Sequence, residues 1–228
     1  MSARPVWALV LAHDQLRYTR ECLTSVRALD PPADHVLLVD NGSKDGTPDR
    51  VRAEFPEVEV VSLGENRYFA GGVNAGLAHA IAQGAGSVLL LNNDLVLERE
   101  SLGLLVAAMD ADPARAAVSP KLYVYDAPDR IWFAGGIVTR GWGLIRHRGA
   151  NRKEDAFRDS PRAIDYVSGA AVLLAREALE RVGFSIRITG STSRTSTGPR
   201  ARAARGTRSG TSLAPAAGIM FRPRAAAA

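Results

Sequence analysis

The chain has 228 residues, a formal net charge of +5 and 46% hydrophobic side chains, enough for one α/β domain with a sizeable core, or for a domain with an appendage. The single cysteine, Cys22, excludes an internal disulfide and fits a reducing compartment. We expect it to be a small buried hydrophobe in a helix. No apolar run is long enough to span a bilayer and no signal peptide is recognisable, so the sequence predicts a cytoplasmic protein.

The positive charge is confined to the end of the chain. Residues 185–228 hold eight arginines and no acidic side chain, whereas residues 1–184 hold 21 basic and 24 acidic side chains, a net charge of −3. Residues 1–184 lack the basic footprint of a nucleic-acid-binding protein, so no nucleic-acid partner is expected. Residues 185–228 show no apolar periodicity and are predicted to form a disordered basic tail.

The first half alternates short apolar runs with amphipathic stretches, as βα units around a parallel sheet do. The strand candidates are near-continuous apolar runs, which is typical of a sheet covered by helices on both faces. Strands are predicted at residues 6–11, 35–39, 58–62 and 88–91, and helices at residues 17–29, 47–54, 70–82 and 99–109. The sequence therefore predicts an α/β fold with a mostly parallel central sheet flanked by helices.

The pattern changes after residue 112, where short strand candidates are separated by glycine and proline turns. These candidates lie at residues 117–122, 131–133, 136–139, 143–145, 164–167 and 171–174, and a short helix follows at residues 176–182. A mixed sheet with loops of this kind is predicted to form a lid, or a second face, over a site in the first half.

Polar residues follow three of the predicted parallel strands, at residues 12–14, 40–43 and 92–94. Ligands of open α/β sheets bind outside the carboxyl ends of the strands. A lone aspartate at a strand end is usually a helix cap or a turn former. Several aspartates on one edge of the sheet favour a site for a cation or for sugar hydroxyl groups.

Two common nucleotide-binding patterns are absent from the sequence. A dinucleotide-binding unit would carry G-x-G-x-x-G after the first strand, where residues 12–16 read AHDQL. The chain also has no G-x-x-x-x-G-K-[ST], which argues against a P-loop nucleotidase.

Four segments resemble motifs of the family 2 glycosyltransferases. Residues 39–47 (VDNGSKDGT), 65–76 (ENRYFAGGVNAG) and 91–94 (LNND) are similar to three of them, and residues 166–170 with 176–184 are similar to the later part, especially in the rhamnosyltransferase-like branch. The resemblance covers roughly residues 5–184 and implies a GT-A fold (nucleotide-diphospho-sugar transferase). It implies a nucleotide-sugar-binding half at residues 1–112 and the start of an acceptor-side half at residues 113–184.

The resemblance also implies the donor site. Asp94 would hold a divalent ion, Mg²⁺ or Mn²⁺, that neutralises the charge on the leaving diphosphate. Asp40 would contact the base or ribose, and Asp14 would lie on the nucleotide side. The implied donor-binding residues are Ala12, Asp14, Asp40, Asn41, Asn66, Gly71, Gly72, Asn74, Asn92 and Asn93.

Several of these positions carry a more specific expectation. Asn92 and Asn93 would hydrogen-bond the ribose or a water in the metal's shell. The absent Cβ atoms of Gly71 and Gly72 would let the backbone approach the donor. Asn74 would either reach the same pocket or act as a cap.

Neighbouring residues are assigned to the loops. Ser43 and Asp45 are expected to hold the turn after the second strand. Tyr68 stands where the family usually has glycine and is expected to alter the loop before Phe69.

On the acceptor side the resemblance implies His147, Ser168 and Gly169. The other histidines, His13, His35 and His79, are expected to be structural or exposed. Trp132 and Trp142 could stack on a sugar ring, although core packing is the commoner use of tryptophan.

The catalytic base is missing from this pattern. Inverting transfer needs a carboxylate that takes the proton from the acceptor hydroxyl, and in the family an aspartate of a Glu-Asp-x-Asp-Trp-like segment does so. Here the pattern runs to Phe184, and no acidic residue follows it. Codons that can encode residues 184–189 and 193–198 also encode, one frame over, Phe-Asp-Pro-Asp-Tyr and Glu-Asp-Val-Asp-Trp. We therefore predict that residues 185–228 are read out of frame.

The resemblance implies inverting transfer of a sugar, with rhamnose as the candidate, from an NDP-sugar to a saccharide or lipid-linked acceptor in cell-surface polysaccharide biosynthesis. Peripheral association with the inner face of the membrane stays open. Without its catalytic base, the chain is expected to transfer little or no sugar. Two alternatives remain: a nucleotidyltransferase, and a non-catalytic nucleotide-binding or interaction protein with a basic tail.

Overall fold

The computed structural model describes residues 4–139, 144–157, 162–182 and 210–221, the last segment as backbone only. Within these residues the elements, in chain order, are β1 (Val6–Ala12), α1 (Leu16–Arg27), β2 (His35–Asp40), α2 (Thr47–Glu54), β3 (Glu59–Ser62), α3 (Tyr68–Ala82), β4 (Ser87–Asn92), β5 (Leu95–Leu97), α4 (Ser101–Asp110), β6 (Arg115–Val124), β7 (Ala127–Phe133), β8 (Gly136–Thr139), β9 (Leu144–His147), β10 (Ala171–Ala175), α5 (Arg176–Val182) and β11 (Gly210–Phe221).

Most of the strands belong to one sheet, in the order β3-β2-β1-β4-β10-β6-β11-β5, with β7 paired to β6. The first four strands in this order are parallel, and β10 runs antiparallel to both β4 and β6. Strands β8 and β9 form a separate hairpin. The expected parallel sheet is thus present in the first half, and the second half extends it as a mixed sheet.

Helices cover both faces of the parallel strands. Alternate residues of β1 point to opposite faces, so Leu9 packs in the core cluster with Leu77 of α3. Val10 joins the other cluster, with Leu23 of α1 and Leu102 of α4. Every residue of β1 is buried, which explains why this strand reads as a continuous apolar run.

Cys22 lies on the face of α1 that packs on the sheet. Its thiol is completely buried, as expected for a small hydrophobe. Burial is also the main reason why its pKa is raised to about 12. The thiolate form is therefore suppressed, and a reactive role for Cys22 is not supported.

The prediction of disorder for the whole of residues 185–228 is wrong for one segment. Residues 210–221 form β11, which runs parallel to β6 and antiparallel to β5. Among the described strands, β5 joins the sheet only through β11, and backbone amides and carbonyls at a sheet edge gain by pairing. The ladder is interrupted between Leu213 and Gly218, around Pro215, which has no N–H to donate. Residues 183–209 and 222–228 lie outside the described residues.

Candidate functional site

A cavity of about 480 Å³ opens at the carboxyl edge of the parallel strands. This volume is within the usual range for small-molecule sites. Its wall consists of Leu11, His13, Asn41, Asn66, Tyr68, Phe69, Asn92, Asn93 and Asp94. Five residues predicted from the sequence, including the metal candidate, therefore share one wall.

Strand register brings these residues together. Ala12 at the end of β1 is level with Asp40 at the end of β2, and Leu11 is level with Asn92 at the end of β4. The backbone N–H of Asn41 donates to the carbonyl of Ala12 at 2.8 Å. Three loops that are distant in sequence thus start from the same edge, as expected for parallel strands.

Asn41 builds the cavity wall by fastening a loop. It is only 3% exposed, and its Nδ2 donates to Asn66 Oδ1 and to the carbonyl of Tyr68, both at 3.1 Å. Its Oδ1 accepts from the N–H of Arg67 at 2.9 Å, and Asn66 Oδ1 also accepts from the N–H of Tyr68 at 2.7 Å. Asn41 therefore holds residues 66–68 against the end of the sheet, and Asn66 stabilises the turn into Tyr68.

The two aspartates predicted on the nucleotide side join loops to one another. Asp40 Oδ1 accepts from the N–H of Ser43 at 3.1 Å. Asp14 Oδ1 accepts from the N–H of Lys44 at 2.7 Å, and the N–H of Asp14 donates to Ser43 Oγ at 2.8 Å. Neither aspartate is part of the cavity wall defined above. A donor contact by either one stays a prediction.

Ser43 and Asp45 hold the turn after β2, as expected. Asp45 accepts from the N–H of Thr47 and from the N–H of Leu16, both at 3.0 Å. Burial opposes ionisation of this carboxyl, but the hydrogen bonds from Thr47 and Leu16 outweigh it and lower the pKa of Asp45. The turn thus ties α2 to the start of α1.

The Asn92-Asn93-Asp94 segment connects β4 to β5. The N–H of Asn92 donates to the carbonyl of Ala170 at 2.9 Å. Asn93 is 2% exposed, and its Nδ2 donates to Thr19 Oγ1 at 3.0 Å. The amide nitrogen of Asn93 therefore anchors this turn to α1, while Asp94 lies in the wall at 7% exposure.

The residues in this wall fit a hard divalent cation. Asp94 offers a carboxylate, and Asn92 and Asn93 offer amide oxygens, which are the donors that Mg²⁺ and Mn²⁺ prefer. No cluster of three or more His, Cys, Asp or Glu side chains suited to a metal occurs in the described ranges. One carboxylate is still sufficient where the substrate's phosphates and water supply the other ligands.

The glycines at the start of α3 lie where a side chain would meet neighbouring residues, and their expected approach to the donor stays a prediction. A Cβ at Gly72 would lie 2.6 Å from Leu11 Cδ1 and 3.2 Å from Asn41 Cγ. A Cβ at Gly71 would lie 2.6 Å from Arg67 Cβ. The close approach at Gly72 is therefore that of α3 to β1 and Asn41.

Asn74, one turn further along α3, is not part of the cavity wall. Its side-chain oxygen Oδ1 is buried and has no hydrogen-bond partner. It does not act as a cap at the start of the helix, which begins at Tyr68. A contact between Asn74 and the donor stays a prediction.

Tyr68 adopts a backbone conformation that usually belongs to glycine. Its φ angle is +57°, in the left-handed region that L-residues avoid. Both backbone polar groups of Tyr68 are hydrogen-bonded, to Asn66 and Asn41. The side chain is 82% exposed and lines the cavity.

Of the acceptor-side candidates, Ser168 and Gly169 lie beside the cavity. A Cβ on Gly169 would be 3.3 Å from Cζ of Phe69, which is a wall residue. Ser168 Oγ accepts from the N–H of Ala170 at 3.2 Å, and Ala170 in turn is bonded to Asn92. The loop at residues 168–170 therefore adjoins both the metal-candidate segment and the start of α3.

His147 lies elsewhere, at the end of β9. Its ring is 5.3 Å from the ring of Trp132 and 5.1 Å from that of Phe133, and burial lowers its pKa. Trp132 itself packs against the core, the commoner of its two expected uses. Trp142 lies outside the described residues.

Sequence reasoning missed Leu11, His13, Tyr68 and Phe69 as wall residues. His13 was expected to be structural or exposed, yet it lines the cavity with Nε2 3.0 Å from Asn66 Nδ2. Its position in the sequence between Ala12 and Asp14, two predicted donor-binding residues, is the feature from which its place in the wall could have been predicted. For Leu11 and Phe69, hydrophobicity pointed to the core.

The glycosyl transferase family 2 profile matches residues 8–183. The chain belongs to this family. Over 133 residues it is 31% identical to the galactofuranosyltransferase GlfT1 of Mycobacterium tuberculosis, covering 56% of this chain and 43% of the relative. Over 166 residues it is 28% identical to the N-acetylglucosaminyl-diphospho-decaprenol L-rhamnosyltransferase of the same species, covering 65% and 54%. The chain thus spans about half the length of these relatives.

The fold is similar to that of the mannosyltransferase PcManGT of Pyrobaculum calidifontis, solved with GDP-Man and Mn²⁺. The match has a TM-score of 0.54 and 24% identity, and covers 79% of this chain and 47% of the other. The expected GT-A fold is confirmed, as is a family 2 glycosyltransferase that resembles the rhamnosyltransferase-like branch. Within the described ranges, no helix has the length and apolarity needed to cross a membrane.

Proposed function

We propose that this cavity binds a nucleotide-diphosphate sugar together with Mg²⁺ or Mn²⁺. In this proposal the fold serves inverting transfer of the sugar, with rhamnose as the candidate, to a saccharide or lipid-linked acceptor in cell-surface polysaccharide biosynthesis. The observation that carries the proposal is the convergence of Asn92, Asn93 and Asp94 with Asn41 and Asn66 in one wall. The name of the M. tuberculosis rhamnosyltransferase supports the sugar and the lipid-linked acceptor.

Asp94 would hold the divalent ion, with Asn92 and Asn93 beside it. A bound ion would neutralise negative charge on the departing diphosphate. Asn93 is bonded to Thr19, so the turn that carries Asp94 is held in place before the donor binds. Such preorganisation is what electrostatic stabilisation of a leaving group requires.

The orientation of the donor follows from the two sides of the cavity. The diphosphate belongs near Asp94, the candidate metal ligand. The sugar belongs beside the loop at residues 168–170, the proposed acceptor-side segment, where a Cβ on Gly169 would lie 3.3 Å from Phe69. The nucleoside then extends toward His13 and Asn66 in the remaining wall.

We further propose that the chain binds its donor but transfers the sugar poorly or not at all. The reason is that residues 185–228 hold no acidic side chain, so that none of them can take the proton from the acceptor. A missing general base lowers a rate by about 10²–10⁴-fold. An out-of-frame reading of residues 185–228 would account for the loss.

Sequencing the gene tests the frame. We expect a one-base correction near codon 185 to restore Phe-Asp-Pro-Asp-Tyr followed by Glu-Asp-Val-Asp-Trp. The corrected gene should then give acceptor-dependent transfer. A matched version with asparagine for the last aspartate of the restored segment should bind donor and remain inactive. If no single-base correction restores the two motifs, the frame proposal is wrong.

Binding and product analysis test the function of the chain itself. We expect titration with UDP-, GDP- and dTDP-sugars to reveal one preferred donor, with tighter binding when Mn²⁺ is present. A radiolabelled donor should give little acceptor-dependent transfer. Efficient transfer would contradict the proposal that the catalytic base is missing. Release of pyrophosphate in place of NDP would identify a nucleotidyltransferase, and absence of nucleotide binding would favour an interaction protein.

We also propose that the β8–β9 hairpin contacts an anionic membrane surface, where a lipid-linked acceptor would lie. Four of the five large hydrophobic residues that stand out as exposed among the described residues are in this hairpin: Ile137, Val138, Leu144 and Ile145. The exposed Arg146 pairs in register with Ile137. Apolar side chains beside a cation suit the interface of an anionic bilayer.

Vesicle flotation tests this contact. The chain should bind vesicles that contain phosphatidylglycerol more tightly than neutral vesicles. Replacing Leu144 and Ile145 together by serine should weaken that binding by about tenfold or more, because two interfacial side chains are lost. Arg52→Ser, a change of an exposed cation on α2, is the matched control and should bind as wild type. Equal flotation of the hairpin variant and the wild type would contradict the proposal.

A further inference from the structure

Tyr68 is the one cavity-wall residue whose side chain is almost fully exposed, at 82%. Large aromatic side chains usually bury most of their surface. An exposed ring at the mouth of a ligand cavity offers a flat apolar face with nothing packed on most of it. That face is available to a planar group of the ligand.

The backbone conformation at Tyr68 favours glycine over tyrosine. The residue has a φ of +57°, a conformation that glycine adopts without steric cost. Asn41 and Asn66 keep it there through hydrogen bonds to both of its backbone polar groups. The strain is therefore tolerated, and what tyrosine adds over glycine at this position is the ring alone.

The position of the ring indicates which part of a donor it would meet. Asp94 marks the place of the diphosphate, and Gly169 against Phe69 marks the acceptor side. Tyr68 shares the remaining wall with His13 and Asn66. We infer that Tyr68 is a stacking platform for the nucleobase of the donor, an inference that rests on the proposed function.

Stacking on an aromatic ring is tolerant of base identity, because every base has a π-face. Tyr68 would accordingly strengthen binding of UDP, GDP and dTDP alike. It would contribute nothing to inorganic pyrophosphate, which carries the same phosphate linkage without a base. The contrast between these probes separates stacking from a general effect on the cavity.

Calorimetric titration of four proteins tests the inference: wild type, Tyr68→Phe, Tyr68→Leu and Tyr68→Gly, each with UDP, GDP, dTDP and pyrophosphate in the presence of Mn²⁺. Tyr68→Phe keeps the ring and should bind nucleotides within about twofold of wild type. Tyr68→Leu and Tyr68→Gly should bind them about tenfold more weakly. All four proteins should bind pyrophosphate equally.

Several results of these titrations would overturn the inference. Unchanged nucleotide affinity in Tyr68→Leu and Tyr68→Gly would overturn the inference, as would a parallel loss for pyrophosphate, which would indicate a distorted cavity. Binding of pyrophosphate but of no nucleotide to the wild type would also overturn it. If the wild type binds neither probe, the proposed function itself fails, and the stacking role with it.

Discussion

Asn41 is a buried residue whose amide makes three hydrogen bonds to residues 66–68. We predict that Asn41→Ala destabilises the fold by about 1–3 kcal/mol, because it leaves buried partners unsatisfied. The loop that carries Tyr68 should loosen, and affinity for nucleotides should fall. Chemical denaturation and nucleotide titration measure the two effects.

Asn66→Ala is a matched control, since Asn66 belongs to the same hydrogen-bonded cluster but lies on the exposed side of the loop. It should cost less stability than Asn41→Ala. Equal stability of wild type and Asn41→Ala would show that the loop does not depend on this side chain.

Asp94 is the residue on which metal-dependent binding should depend. Asp94→Asn removes the charge and keeps the shape, so we expect the gain in nucleotide affinity from Mn²⁺ to fall by about tenfold or more, with affinity in EDTA little changed. The control Asp14→Asn should keep that gain, because Asp14 bonds to the next loop outside the cavity wall. Retention of the full Mn²⁺ effect in Asp94→Asn would exclude Asp94 as a ligand.

At the scale of elements, α3 packs closely against the sheet at a glycine position. A Cβ at Gly76 would lie 2.6 Å from both Leu9 Cδ1 and Val39 Cγ2. Alanine gains about 1 kcal/mol of helix propensity, but overpacking costs about 1–3 kcal/mol, and the β-branched Val39 has little rotamer freedom to yield. We therefore predict that Gly76→Ala lowers the free energy of unfolding by about 1 kcal/mol, as measured by urea denaturation.

The helix also supplies the control for that change. Ala78 is exposed on α3, so Ala78→Gly should show the propensity effect alone, a loss of about 1 kcal/mol. A rise in stability for Gly76→Ala would mean that α3 moves away from β1 and β2 at little cost.

At the scale of the whole molecule, β11 connects the short strand β5 to the rest of the sheet. We predict that a chain ending at residue 209 loses amide protection in β5 and β6 while β1 and β4 keep theirs, because only the former lose backbone partners. Hydrogen exchange with mass spectrometry measures this. Since Asp94 directly precedes β5, the Mn²⁺-dependent nucleotide affinity should also fall.

The same experiment tests whether residues 210–221 pair with the sheet. Full amide protection of β6 in the chain that ends at residue 209 would mean that β11 contributes no pairing. Residues 210–221 would then be dispensable for the sheet. Loss of protection would mean that residues 210–221 complete the sheet, since backbone pairing makes small demands on side-chain identity.

The parallel half of the fold was predictable because its signals are local. Apolar runs and helical periodicity located β1 and α3 to within a few residues. The placement of β10 between β4 and β6 was not predictable in this way, because antiparallel pairing joins residues that are far apart in the chain. The same holds for β11.

The candidate site was predictable as a set of residues, but their individual contacts were not. Asp40 and Asn41 are adjacent and equally buried, yet Asn41 faces the cavity and Asp40 holds a turn. Successive side chains of an extended segment point in opposite directions. Which of the two meets the cavity depends on how the loops pack.

The sequence by itself determined the family, the parallel sheet and the edge at which its polar residues gather, because motifs and periodicity are written along the chain. It also shows that residues 185–228 hold no acidic side chain. Only the tertiary structure decided that Asn41 fastens the loop, that a side chain at Gly72 would meet Leu11 and Asn41, and that Tyr68 lines the cavity. These are properties of side-chain direction and of contacts between distant segments, which no local pattern encodes.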